Sequence, residues 1–304
     1  MMTQNIDVTI EKEINNLISE SKPNKKILIF SGGGTRGIAY FGVLKALSES
    51  SILDNIEIFA ATSVGGMILS LYLAGYTVKE LEDFYELFDF NNLTTISDYN
   101  LDNIHDLIKK YGIDDGSNIT KVIGKLLEAK KINKDITLLE LYKMNKKKFV
   151  VTGCCLETHS VEYISYETYP NMKLTDAVRI TTAVPLYFQP LKYNNKTFVD
   201  GGCMDNYPIN LFTDRLEEVI GVYLYPDITT TNINNLKDFL MSFINAYNKG
   251  YTLNIIRGWE SVTIIITTKQ EILNFNINLE DKTKLFNIGY KSTIDFFNCH
   301  PRHS

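Results

Sequence analysis

An α/β fold built on a mostly parallel sheet is what this sequence predicts, and three observations predict it. The apolar run "KILIF" (26–30) meets a glycine-rich loop, "SGGGTRG" (31–37), and then "IAYFGVLKAL", whose apolar residues have helical spacing. A second apolar stretch, Ile56–Ala61, runs directly into another helical pattern from about Val64 to Ala74. Strand, glycine loop, helix, strand, helix in that order implies parallel strands with helices packed on them. With 304 residues, 44% hydrophobic and 22% charged, the chain can bury a large core.

In chain order, residues 5–20 have the spacing of an amphipathic helix and end at "SKPNKK", so 1–24 reads as an N-terminal helical extension. Ile27–Phe30 is a short buried strand. Thr35–Ser48 is a helix with apolar positions at Ile38, Phe41, Val43, Leu44 and Leu47. From Ile58 to Val78 there are 21 residues without a charge, long enough to suggest a membrane span. Thr62, Ser63, Gly65 and Gly66 near its middle point instead to a buried strand, a turn and a buried helix.

Helical spacing then dominates 78–145, in "VKELEDFYELF", "LDNIHDLIKKYG", "ITKVIGKLLEAKK" and "TLLELYKM". Strand character returns at 148–154 and 160–165, followed by a short helix over Leu174–Thr182. "KTFVDGG" is a strand ending in a glycine turn, and 217–225 is another strand, which closes a core over 25–225. "PDITTTNINN" reads as a linker. Beyond it, 226–304 forms an α/β segment packed on the same domain, with a helix near 236–250, a strand near 261–267 and a helix near 282–298.

A net charge of −5 and a pI near 5.5 argue against nucleic acid as a partner. The basic run at 146–148 reads as a solvated helix end or loop. Cys154, Cys155, Cys203 and Cys299 lack CxxC spacing, which disfavours a disulfide framework or structural zinc and fits reduced thiols in the cytoplasm. The first 22 residues lack the basic-then-apolar pattern of a signal peptide.

Three chemistries fit the glycine loop. A P-loop requires Lys and then Ser or Thr after its last glycine, whereas Ile38 and Ala39 follow Gly37. Gly32, Gly34 and Gly37 do satisfy the dinucleotide pattern G-x-G-x-x-G. That fingerprint also needs a carboxylate about 20 residues on, at the end of the second strand, and the strand ends "FAATS". An oxyanion hole fits better. "ATSVGG" sets Ser63 between strand and helix, with Ala61 and Gly65 as the small neighbours that a nucleophile elbow requires. The competing reading is a serine that caps the following helix.

A serine nucleophile needs a base. The histidines are His105, on a predicted helix, His159, in a turn, and His300 and His303, in the terminal "CHPRHS". A Ser63–Asp200–His300 triad requires that tail to fold back into the site. Asp200 alone, at the end of "TFV" and before Gly201 and Gly202, fits a Ser–Asp dyad. The competing reading of Asp200–Gly201 is an ordinary hairpin turn.

These residues resemble the patatin-like phospholipase family. Its G-G-G-x-R-G loop is similar to Gly32-Gly33-Gly34-Thr35-Arg36-Gly37, its G-x-S-x-G elbow to Ala61-Thr62-Ser63-Val64-Gly65, and its dyad motif to Asp200-Gly201-Gly202. "DAVRITTAVPLYFQP" (176–190) also looks like the family's segment upstream of the aspartate, and the likeness runs from about Lys26 to Asn210. Ala61 departs from the pattern, standing where the family has its first elbow glycine.

The resemblance implies a three-layer α/β/α sandwich that hydrolyses fatty-acyl esters of phospholipids or related lipids, without a metal or other cofactor. Ser63 would be the nucleophile and Asp200 the base. Amides of about Gly33, Gly34 and Thr35 would hold the oxyanion, and Arg36 would brace the loop or meet the lipid phosphate. The implied partner is a membrane or micellar lipid contacted peripherally; the aromatic and aliphatic residues of the helices in 78–145 either supply that contact or pack on the sheet. Nothing in the residues identifies an activating protein partner. A carboxylesterase or thioesterase on the same fold, and a lipid-binding protein without turnover, are the alternatives.

Overall fold

The computed structural model describes residues 24–96, 107–227, 256–270 and 272–299, with isolated positions between 232 and 246. The helix predicted over 5–20 lies outside the described residues, as does most of the one near 236–250.

In chain order the first elements are β1 (Ile27–Phe30), a 3-10 turn over Gly34–Ile38, α1 (Ala39–Glu49), β2 (Ile58–Ala61), α2 (Val64–Leu73) and α3 (Val78–Leu87). Next come β3 (Gly112–Asp114), α4 (Ser117–Ala129), α5 (Leu138–Asn145), β4 (Lys148–Cys155), β5 (Ser160–Ile164) and α6 (Leu174–Thr181). The chain continues through β6 (Leu186–Phe188), β7 (Leu191–Tyr193), β8 (Lys196–Asp200), β9 (Val219–Pro226), β10 (Thr263–Thr268) and α7 (Leu279–Cys299). Two helices start where local chemistry dictates: Thr77 with Glu80, and Thr137 with Glu140, form capping boxes at α3 and α5.

The main sheet has the order β10-β9-β1-β2-β4-β8-β7, with β5 also paired to β4. Its β10-to-β4 half is parallel; β5, β8 and β7 pair antiparallel. All four residues of β1 are buried, as expected for a central parallel strand covered on both faces. Leu28 and Phe30 enter a large core shared with the helices, while Ile27 and Ile29 enter a smaller one with Tyr207, Ile209 and Phe212. The result is a three-layer α/β/α sandwich. Parallel strands bring the ends of β1 and β2 to one edge, where a site can be built on the loops that follow them.

The stretch from Ile58 to Val78 is a buried strand, a turn and a buried helix, and no described helix is long and apolar enough to cross a membrane. At the chain's far end, β10 extends the sheet beside β9 and α7 packs along α1. The two helices meet backbone to backbone. A Cβ on Gly42 would fall 2.0 Å from the Phe286 carbonyl oxygen, and one on Gly289 1.9 Å from that of Ala39.

One helical expectation is corrected. The spacing of "LDNIHDLIKKYG" carries a helix to Gly112, but Gly112 opens β3, which pairs in parallel with β6. The cause is tertiary. The buried Asp114 carboxylate accepts hydrogen bonds from the Thr94 hydroxyl (2.6 Å) and from the Thr95 (2.6 Å) and Gly116 (2.7 Å) amides, and holds the chain extended there.

Candidate active site

Ser63 stands between β2 and α2 at φ 55°, ψ −128°, a strained conformation for a residue with a side chain. The surroundings impose it. Its amide donates to the Thr181 hydroxyl (2.9 Å), and Thr62 is fixed by the Thr152 hydroxyl (2.7 Å) and the Asp205 carbonyl (2.9 Å). A Cβ on Gly65 would approach Phe30 Cβ to 2.8 Å and the Ser31 carbonyl oxygen to 2.9 Å, so strand and helix cross too closely for a larger residue. Ala61 is fully buried on β2, in register with Phe30 and Val151. The Ser63 side chain makes no capping bond to α2; it faces the cavity that Asp200 also lines, near enough to lower the Asp200 carboxyl.

Asp200 closes β8, with its amide donating to the Ala183 carbonyl (2.9 Å). It is only 5% exposed, and Oδ1 accepts from the Gly202 amide at 2.7 Å. Burial pushes its carboxyl up to about 7, against the smaller opposing effect of hydrogen bonds from Ser63 and Gly202. Asp200–Gly201 is not a hairpin turn, because a 3-10 turn over Gly201–Cys203 follows and the next strand, β9, lies elsewhere in the sheet. Gly201 seats that turn on β4, where a Cβ would fall 2.1 Å from Thr152 Oγ1.

The glycine loop follows β1. Gly34 has φ 57°, and a Cβ there would sit 1.9 Å from the Ile272 carbonyl oxygen. The Gly32 amide donates to the Asn206 carbonyl (3.1 Å) and the Thr35 amide to the Ile272 carbonyl (2.8 Å). Among Gly32 to Thr35, the amides of Gly33 and Gly34 are those not engaged in this way. Gly37 lies against Val64, the first residue of α2, with a Cβ position 2.4 Å from Val64 Cγ2.

Arg36 is 4% exposed; its Nε donates to the Gly33 carbonyl (3.1 Å), bracing the loop, and Nη1 has no hydrogen-bond partner. Burial lowers its guanidinium to about 10, with Tyr223 and Tyr40 nearby. Of the histidines, His159 is exposed in the β4–β5 turn, and His105, His300 and His303 lie outside the described residues.

A family model described as patatin-like phospholipase matches residues 28–213. This chain belongs to that family. Probable lipid hydrolase 463L of Invertebrate iridescent virus 6 is 31% identical over 188 residues, 61% of this chain and 62% of the viral protein. Protein R571 of Acanthamoeba polyphaga mimivirus is 28% identical over 287 residues, 90% of this chain and 94% of its own length. In fold, the crystal structure of VipD from Legionella pneumophila matches with a TM-score of 0.64 at 19% identity, over 91% of this chain and 67% of that one.

In this patatin-like chain two cavities meet at Ser63. One, of about 320 Å³, is lined by Arg36, Asp200, Asn206 and Tyr223 among others. The other is an apolar slot of about 50 Å³ beside Met67, Phe90 and Leu273. Sequence reasoning missed Thr181, Asn206 and Ile272, which hold the elbow and the loop. Thr181 lies in the "RITTAVP" stretch quoted for its family likeness; Asn206 holds Gly32 through both its carbonyl and its side-chain amide, and Ile272 acts through its backbone carbonyl, for which a residue name carries no signal.

Proposed function

We propose that this protein is a serine acyl hydrolase that cleaves fatty-acyl esters of phospholipids or related lipids through Ser63 and Asp200. The observation that carries this is the strained Ser63 sharing a cavity with the buried Asp200, whose carboxyl burial raises to about 7. A base is most effective when its pKa lies near the working pH, and burial brings Asp200 there.

The Ser63 hydroxyl passes its proton to Asp200 as Oγ attacks the ester carbonyl. The Gly33 and Gly34 amides receive the oxyanion, beside the positive end of α2. As the tetrahedral intermediate collapses, Asp200 returns the proton to the departing alcohol. Water then loses a proton to Asp200 and attacks the acyl-serine, and the acid leaves with Ser63 restored. Arg36 holds the loop through Gly33, and as a cation lining the wide cavity it suits an anionic head group.

Hydrolysis of a phospholipid panel by wild type, Ser63→Ala and Asp200→Asn tests this. Fatty-acid release by wild type and loss in both variants is expected. Turnover retained in either variant would overturn the dyad.

A further inference from the structure

The reading of Ser63 as an acyl acceptor leaves open where the two halves of the ester go. Ser63, Gly34 and Val184 line both cavities, so a carbonyl at Ser63 has one opening on each side. Among the described residues no charged side chain lines the slot, whereas Arg36 and Asp200 line the wider cavity. A polar alcohol or head group would lose its hydration in the slot without recovering hydrogen bonds, while an acyl chain gains by leaving water.

The wall between the two is a short strap after β10, beyond the matched 28–213 region. Ile272 lines the wide cavity, whereas Leu273 and Phe275 line the slot. The Ile272 carbonyl accepts both the Thr35 amide (2.8 Å) and the Thr35 hydroxyl (3.3 Å), which ties the strap to the glycine loop. At about 50 Å³ the slot has room for only a few water-sized groups, so the side chains that wall it limit the chain it accepts.

Resting on that reading, we propose that residues 272–275 sort the ester, with acyl chain to the slot and alcohol to the wide cavity, and that Leu273 sets the acyl length accepted. The test is the ratio of kcat/KM for p-nitrophenyl laurate to that for p-nitrophenyl butyrate. Leu273→Ala raises this ratio about tenfold and Leu273→Trp lowers it about tenfold, the range that a methylene or more in an apolar pocket commands. Phe275→Ala moves it in the direction of Leu273→Ala, and Ile272→Ala leaves it at the wild-type value. Butyrate turnover reports that each variant is folded. Leu273 and Phe275 variants that hydrolyse butyrate with an unchanged ratio, or an Ile272→Ala ratio shifted as far as theirs, would overturn the sorting role alone. A wild-type protein that hydrolyses neither ester and takes no fluorophosphonate at Ser63 would overturn the hydrolase reading beneath it.

Discussion

Replacing Asp200 with Asn should abolish activity and stabilise the protein, and the gain should grow with pH. Asn keeps the size of the side chain and its bond to the Gly202 amide, but stays neutral. In the native state the Asp200 carboxyl titrates at about 7, and in the unfolded chain at about 3.9. Between those values the native state binds more protons than the unfolded one. The stability that the neutral carboxyl provides is therefore complete below pH 4 and is lost as pH rises through 7. Three pKa units correspond to about 4 kcal/mol, so Asp200→Asn gains about 4 kcal/mol at pH 9 and about 1.5 kcal/mol at pH 5. Urea denaturation of both proteins at the two pH values measures this. Removing the base should cost a factor of about 10³ in kcat on a soluble ester. A variant no more stable than wild type at pH 9, or equally stabilised at both pH values, would refute a desolvated carboxylate at this position.

Three further outcomes follow from the geometry. The kcat/KM of wild type on a soluble ester should rise with pH through an apparent pKa near 7, because only the ionised Asp200 accepts the Ser63 proton; a flat profile from pH 5 to 9 would contradict this. Gly34→Ala should lower kcat by about 10² or more, since its methyl meets the Ile272 carbonyl at a positive φ and displaces the amides aimed at the oxyanion. Gly42→Ala should destabilise by about 1–3 kcal/mol in thermal or urea unfolding, despite the better helix propensity of Ala, because α1 and α7 must separate.

Much of this fold is legible in local sequence. β1, β2 and the helices after them carry unbroken apolar runs or 3.6-residue spacing, and parallel strands buried on both faces declare themselves that way. The three glycine-flanked motifs are legible for a related reason: the elbow at Gly65 and the turn at Gly201 admit no side chain, so the requirement is written into residue identity. What is not legible depends on distant partners. Gly112 leaves its helical pattern because Asp114 collects donors from Thr94, Thr95 and Gly116. Likewise, the Thr35 amide is taken up by a carbonyl 237 residues away, at a position where any side chain would serve as well. Ser63 as a helix cap and Asp200 as a hairpin turn are both plausible locally; the missing capping bond at α2, and the 3-10 turn and sheet order after Asp200, replace those readings.

The proposed hydrolysis depends on Asp200 activating Ser63 for attack on an acyl carbon. A fluorophosphonate with a short alkyl chain, followed by intact-protein and peptide mass spectrometry, tests it most directly. A single adduct on Ser63 is expected, formed faster as pH rises through about 7, absent in Ser63→Ala and slowed by orders of magnitude in Asp200→Asn. An adduct elsewhere, or one on Ser63 that forms as fast in Asp200→Asn as in wild type, would contradict it.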